Sequence, residues 1–273
     1  KERWLPAMGR GEAIGCFGLT EPDFGSNPGG MLTRAVRDGS DYLLSGTKRW
    51  ITSGSIADVA VVWAKVDDDI AGFLVEGGTP GFTATDMHGK WSLRASVTSE
   101  LHLADVRLPE SARLPLATGL KSPLSCLSQA RYGISWGVIG AAMGCYDTAL
   151  QYAKTRVQFD RPIAGYQLVQ AKLAEMVTGI TTSQLLALQL GRLKDRGVMR
   201  PQQVSMAKRH NVAHALWCAR TARDILGANG VVDEYPVFRH MANLESVVTY
   251  EGTHDIHTLI LGHDVTGLPA YSG

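Results

Sequence analysis

The chain has 273 residues, 45% of them hydrophobic, and a formal net charge of +1. That length suggests two domains of ordinary size. The near-neutral balance, with no basic stripe interleaved with aromatics, argues against an electrostatic nucleic-acid binder. The four cysteines, Cys16, Cys126, Cys145 and Cys218, are scattered without a C-x-x-C pair. This is the usage of a reducing compartment, not of a disulfide framework or a zinc site. The longest apolar run, residues 134–143, is too short to span a bilayer and is interrupted by glycines. With nothing like a signal peptide, a soluble intracellular protein without a membrane span is expected.

Residues 1–115 change character every few positions. Short segments rich in Val, Ile, Trp, Tyr and Leu alternate with Gly, Asp, Ser and Pro clusters. Strands are predicted at Val36 and over 42–45, 50–52, 59–66, 72–76, 82–85 and 100–108. Asp38-Gly39-Ser40 and Asp67-Asp68-Asp69 read as turns. The pattern switches near residues 109–123. Residues 125–156 then carry Ile134, Val138, Ile139, Met143, Tyr146 and Leu150 at helical spacing. Gly133, Gly137, Gly140 and Gly144 lie on the same segment, where small residues would let a neighbouring helix approach. A second helix is predicted over 166–196, ended by Gly197, and Pro201 opens a third that runs to about Leu226. Shorter ones follow over 241–248 and 256–265. The fold class is therefore α+β, with an antiparallel β-barrel or sandwich over 1–115 followed by an antiparallel α-helical bundle over 116–273.

Most signatures of chemistry are missing: there is no Walker loop, no dinucleotide G-x-G-x-x-G, no H-E-x-x-H and no G-x-S-x-G. His210 and His214 are four apart on a helix and His254 and His257 three apart, but neither pair has an obvious third ligand, and no metal is expected. The stretch from Thr249 to His257 stands out instead. Glu251 sits on a loop, Gly252 lets the backbone approach a ligand closely, Thr253 can cap the following helix, and Asp255 suits the positive end of its dipole.

Four stretches taken together are more specific. They are Gly18-Leu19-Thr20-Glu21-Pro22-Asp23-Phe24-Gly25-Ser26; Lys48-Arg49-Trp50-Ile51-Thr52-Ser53-Gly54; Arg156-Val157-Gln158-Phe159 with Gln167 downstream; and 222–230 leading to Tyr250-Glu251-Gly252-Thr253. Their order and spacing resemble the acyl-CoA dehydrogenase flavoproteins. The likeness is nearest to the glutaryl-CoA-oxidising members, through Ala130-Arg131-Tyr132-Gly133-Ile134, residues 190–195 and Thr253-His254-Asp255-Ile256-His257.

The resemblance implies FAD as cofactor and an acyl-CoA thioester as substrate, with Glu251 as the base that removes the α-proton. Phe17, Leu19 and Thr20 match the segment that meets the pyrimidine end of the flavin. Trp50, Ile51 and Thr52 match the segment that covers the ring and reaches its hydride-accepting nitrogen. Arg156, Phe159, Gln167, Asp224, Gly227 and Ala228 match contacts to the diphosphate and adenosine of a flavin held by a neighbouring subunit, and Thr253 and Asp255 are grouped with the cofactor. Ser26 and Arg131 match positions near the CoA portion, and Tyr250 and Gly252 the acyl chain. An acid beside a diphosphate is unusual, so Asp224 could be a helix-surface charge; Arg131 could equally be a surface arginine and Gly227 a helix cap.

The resemblance further implies an electron-transfer flavoprotein as partner and a homo-oligomer, at least a dimer and by family habit a tetramer. The compartment would be the bacterial cytoplasm or the mitochondrial matrix. The family begins with a helical domain, and residues 1–12 read as its last turn and the lead-in to the first strand. Two other readings are an oxygen-using flavoenzyme on the same fold and a non-catalytic module that binds flavin or acyl-CoA.

Overall fold

The computed structural model describes residues 1–270. The chain divides into two compact units. One comprises Lys1–Lys90 and Arg94–Cys126; the other comprises Trp91–Leu93 and the residues from Leu127 onward.

The first unit opens with a short helix, α1 (Leu5–Gly9), and strand β1 (Gly15–Gly18). Then come β2 (Arg34–Asp38), β3 (Asp41–Thr52), β4 (Val59–Val66), β5 (Asp69–Glu76), β6 (Phe82–Asp86), β7 (Thr98–Pro109) and β8 (Arg113–Thr118). They form one eight-stranded sheet in the order β6-β7-β3-β2-β4-β5-β8, with β1 also paired to β4. Most pairings are antiparallel, as the turn-punctuated sequence suggested. Two differ: β1 runs parallel to β4 from Gly15↔Val59 to Gly18↔Val62, and β2 meets β4 in parallel at Arg34↔Lys65. The sheet is thus mixed, and its ladder does not close into a barrel. Inward-facing Tyr42, Leu44, Val62, Phe73, Val75, Leu101 and Val106 form its core, each at most 1% exposed. Period-two alternation puts them on one face, and an irregularity in β7 between Leu103 and Val106, where Asp105 has φ 50°, brings Leu101 and Val106 into phase.

One core feature breaks the apolar rule. Lys48 is fully buried on β3 and its Nζ donates to Glu21 Oε1 at 2.9 Å and to the Leu19 carbonyl at 3.1 Å. Glu21 also accepts from the amides of Leu32 at 2.6 Å and Thr33 at 2.9 Å. Burial pushes the Glu21 carboxyl up, but Lys48 and the Leu32 and Thr33 bonds outweigh it and hold it below the ordinary range. Every charge in this site has a partner, as a buried charge requires.

The second unit is helical: α2 (Lys121–Thr155, whose opening residues belong to the first unit), α3 (Gln167–Asp195), α4 (Pro201–Ile225), α5 (Val237–Thr249) and α6 (His254–Thr266). A two-residue hairpin joins β9 (Val157–Gln158) to β10 (Arg161–Pro162). The helices start and stop where their residues dictate. Pro201 opens α4, backed by a Gln203 side chain that accepts from the Arg200 amide at 2.9 Å. Thr253 caps α6 by accepting from the Ile256 amide at 3.1 Å, and Gly267, at φ 70°, ends it. The core of this unit includes Val138, Ile139, Ala142, Ala149, Met176, Ala187, Ala215 and Leu244. Asn211 ties three helices together from inside, donating to the Ser135 carbonyl at 2.9 Å and to that of Ser183 at 3.3 Å. Of the α2 glycines, Gly144 faces α5, where an added Cβ would lie 3.7 Å from His240, whereas a Cβ at Gly133, Gly137 or Gly140 would have nothing within 4 Å among the described residues.

Candidate active site

The residues between α5 and α6 form a tight link in which Glu251 has φ 55° and Gly252 φ 86°. Left-handed backbone is natural for glycine and strained for glutamate, so the surroundings must over-determine it. They do so by gripping three consecutive carbonyls. Lys208 Nζ on α4 donates to the Tyr250 and Gly252 oxygens, each at 2.9 Å. Arg131 Nε on α2 donates to the Glu251 oxygen at 2.8 Å. His257 Nε2 on α6 meets the same oxygen at 3.0 Å. A carbonyl only accepts, so Nε2 carries the proton and Nδ1, buried without a partner, is the bare nitrogen. A Cβ on Gly252 would stand 2.9 Å from His257 Nε2 and 3.3 Å from a terminal Arg131 nitrogen.

The Glu251 side chain is half-buried, and its Oε2 is sealed from solvent with no hydrogen-bond partner. Burial pushes this carboxyl above its ordinary range, with Arg131 and Lys208 opposing. Burial, aided by Arg131 and opposed by Glu251, brings the Lys208 ammonium down to about 8. His257 falls to about 4, through burial first and then the charges of Lys208 and Arg131, which keeps its ring neutral near pH 7. A dehydrated carboxylate with a free oxygen and a raised pKa is what a general base requires. Nearby, a cavity of about 480 Å³ opens against the α2 glycines, lined by Gly133, Ile134, Gly137, Val138, Leu244, Val247 and Tyr250, with His240 and Asn243 as its other polar members. It is apolar with few polar groups, as small-molecule sites are.

The other sequence-derived positions fall into three groups. In the first unit, Phe17 and Thr52 line a second cavity of about 370 Å³ together with Met8, Cys16 and Val61. Trp50 lies beside Thr52 in the chain at φ 63°, with 56% of its surface exposed, so it is not the core aromatic that a strand position would suggest. Leu19 and Ile51 are buried at 5% and 3%, which leaves only their backbone to offer a ligand. The Thr20 carbonyl already accepts from the Arg49 amide at 2.8 Å, and Ser26 is exposed on the loop before β2.

In the second unit, Arg156 and Phe159 belong to the β9–β10 hairpin. Phe159 and Asp160 form its tip at φ 50° and 62°, and Phe159 is 89% exposed. Tyr166 steadies this tip by donating to the Gln158 carbonyl at 2.8 Å, and Gln167 follows as the first residue of α3. At the far end of α4, Gly227 (φ 61°) and Ala228 open an exposed 3₁₀ turn. Asp224 is engaged already, ion-paired with Lys172 and 3.6 Å from Arg223, which accounts for an acid at this position as a surface charge.

Thr253 spends its hydroxyl on the α6 cap, and Asp255 is exposed in the first turn of that helix. Arg131, far from being a surface arginine, is the residue that holds the Glu251 carbonyl. Sequence reading missed Lys208 and the role of His257. Lys208 is 1% exposed, and its signal was positional: Val204, Lys208, Asn211 and Ala215 share one helical face, which carries apolar residues before and after.

Each unit, taken by itself, has groups suited to part of a flavin. The first has an exposed indole and the Thr52 hydroxyl beside a cavity; the second has Arg156 and a glycine-led turn of the kind a diphosphate needs, and an exposed Phe159 ring for stacking. An eight-stranded mixed sheet followed by a helical bundle, with a glutamate on a left-handed link, is the arrangement of the middle and C-terminal domains of the acyl-CoA dehydrogenases. The chain belongs to that family, an FAD-dependent family of oxidoreductases. Its residues 16–106 match the acyl-CoA dehydrogenase middle domain and 117–266 the C-terminal domain.

Among particular proteins, the chain is similar to glutaryl-CoA dehydrogenase from Mycobacterium smegmatis. It is 60% identical to one solved structure over 100% of this chain and 70% of that one, with a TM-score of 0.99. A second structure, of a glutaryl-CoA dehydrogenase from the same organism in complex with FADH2, gives 56% identity, the same coverage and 0.98. The mitochondrial short-chain specific acyl-CoA dehydrogenase of Bos taurus is 36% identical over 96% of this chain and 66% of its own length. Among the described residues no helix is long and apolar enough to cross a membrane.

Proposed function

We propose that this chain carries the catalytic half-site of an enzyme that introduces a double bond between the α and β carbons of a short acyl-CoA thioester, with glutaryl-CoA as the preferred substrate. One observation carries the reading: among the described residues Glu251 Oε2 is buried and unpartnered, on a carboxyl whose pKa burial raises, and the preceding residue, Tyr250, lines an apolar cavity of about 480 Å³. Glu251 removes the proton next to the thioester carbonyl. Tyr250 and the α2 glycines make room for a flat acyl chain, and the dry surroundings keep the carboxylate reactive. Trp50 and Thr52 would hold the ring of one FAD, and Arg156, Phe159, Gln167 and the turn at Gly227 and Ala228 would reach the diphosphate and adenosine of a flavin held by a neighbouring subunit; FAD when bound supplies the acceptor for the β-hydride. With a glutaryl substrate, loss of the distal carboxylate as carbon dioxide then gives the crotonyl thioester.

The glutaryl assignment rests on the 60% identity to the mycobacterial enzyme; another short-chain acyl-CoA is the second reading, in keeping with the short-chain specific bovine relative. The proposed electron acceptor is an electron-transfer flavoprotein. The protein would act as a homo-oligomer, a tetramer by family habit, in the bacterial cytoplasm or the mitochondrial matrix. The test is anaerobic mixing of the full-length flavoprotein with glutaryl-, butyryl- and isobutyryl-CoA. Flavin absorbance bleaches with the true substrate, and Glu251→Gln slows bleaching by about 10²–10⁴-fold. No bleaching with any of the three refutes the proposal, and peroxide release in air would mark an oxidase.

A further inference from the structure

Lys208 belongs to none of the motifs that pointed to the family, yet it is among the largest fully buried side chains of the molecule. Its Nζ meets two carbonyls that flank Glu251 on either side, those of Tyr250 and Gly252. Among the described residues no carboxylate pairs with it at hydrogen-bond distance; Glu251 acts on it through its charge. An ammonium buried on two backbone oxygens is costly to desolvate, and the cost is met only if the grip does something.

Its consequence follows from peptide geometry. There are no cis peptide bonds among the described residues, and in a trans peptide the carbonyl and the next N–H point opposite ways. With the Tyr250 carbonyl turned toward Lys208, the Glu251 N–H is turned away from α4. With the Glu251 carbonyl turned toward Arg131 and His257, the Gly252 N–H is turned likewise. The Glu251 amide makes no hydrogen bond among the described residues, so it stands free beside its own carboxylate.

We propose that Lys208 is a positioning residue for the dehydrogenation: by holding the Tyr250 and Gly252 carbonyls it fixes the left-handed link and so sets where the Glu251 carboxylate stands. This rests on the function proposed above. A single buried lysine on α4 then sets the backbone on both sides of the base. The charge of Lys208 also pulls the Glu251 carboxyl down against its burial. The other groups facing Lys208 are Arg131 from α2 and His257 from α6, with Tyr250 and Glu251 on the link.

The experiment uses the full-length holoenzyme and Lys208→Met, which keeps an unbranched stem and removes the N–H donors. The expected result is a fall in kcat of about 100-fold, from misplacement of the base, while KM stays within about threefold and flavin content is unchanged. The acid limb of kcat/KM moves to higher pH, and a ¹³C NMR titration of the Glu251 carboxyl moves the same way without any turnover. In Lys208→Ala, added ethylammonium restores part of kcat. Wild-type turnover with a K208M kcat inside threefold of it, or a loss that follows only the folded, flavin-loaded fraction with no movement of either titration, overturns the role of Lys208 alone. A wild-type protein that bleaches with no thioester removes the dehydrogenase reading and this role with it.

Discussion

Replacing Gly252 by alanine separates the backbone argument from the chemistry. At φ 86° an L residue is strained, at a cost of about 1–2 kcal/mol. The new methyl would also lie 2.9 Å from His257 Nε2 and 3.3 Å from an Arg131 nitrogen. His257 is fully buried and bonded to the Glu251 carbonyl, so it cannot simply swing aside. Overpacking of this kind costs about 1–3 kcal/mol. The sum is about 2–5 kcal/mol, which for a unit of this size lowers Tm by roughly 5–15 °C. Gly140→Ala is the control, because among the described residues nothing lies within 4 Å of the methyl it would add on α2. There, helix propensity alone should gain about 0.5–1 kcal/mol. Differential scanning calorimetry of both variants, with kcat from flavin bleaching, reads the result. If G252A melted within a degree or so of wild type and kept its kcat, the link would not be held as described.

Three further outcomes are expected. Glu21→Gln leaves the Lys48 ammonium buried without its counter-charge and should cost about 3–5 kcal/mol in urea denaturation; an unchanged midpoint would mean that Lys48 reaches solvent. His257 has a folded pKa depressed from 6.5 to about 4, so the stability it contributes is present above 6.5 and is lost as pH falls toward 4. His257→Gln should flatten that acid limb, and a wild-type stability that is level across this window contradicts the assignment. Phe159→Ala removes a ring that is 89% exposed, so subunit unfolding should shift by no more than about 0.5 kcal/mol. Flavin retention and oligomer size on gel filtration should both fall; if neither does, the hairpin tip has no partner.

Much of this was legible in the residues because burial wrote a period into them. Strand β4 is the clearest case: its predicted and observed limits, 59–66, coincide. The three long helices begin and end within a few residues of their proline and glycine punctuation. Where the chemistry of a position contradicts its period, the reading failed. Strand β3 was seen as two pieces because Gly46-Thr47-Lys48-Arg49 reads as surface, although Lys48 is interior. Strand β8 was passed over because residues 109–123 carry prolines and look like a linker. The parallel pairings of β1 and β2 with β4 depend on long-range register, which no local pattern encodes. Glu251 could be named from its neighbours in sequence, but the grip upon it comes from α2, α4 and α6, and that assembly exists only once the bundle has formed.

The sealed pair of Lys48 and Glu21 constrains how this chain can vary over time. Either charge alone would lose its counter-charge in a dry interior, so each single replacement at these positions carries a penalty that a paired exchange avoids. A descendant could lose the pair without that penalty through a near-simultaneous exchange of both side chains, for instance to two apolar residues of matching bulk. The amides of Leu32 and Thr33 would still need an acceptor after that exchange, so the loop they anchor would have to be rebuilt too. Positions 21 and 48 should therefore tend to drift together, and the segment between them inherits their inertia.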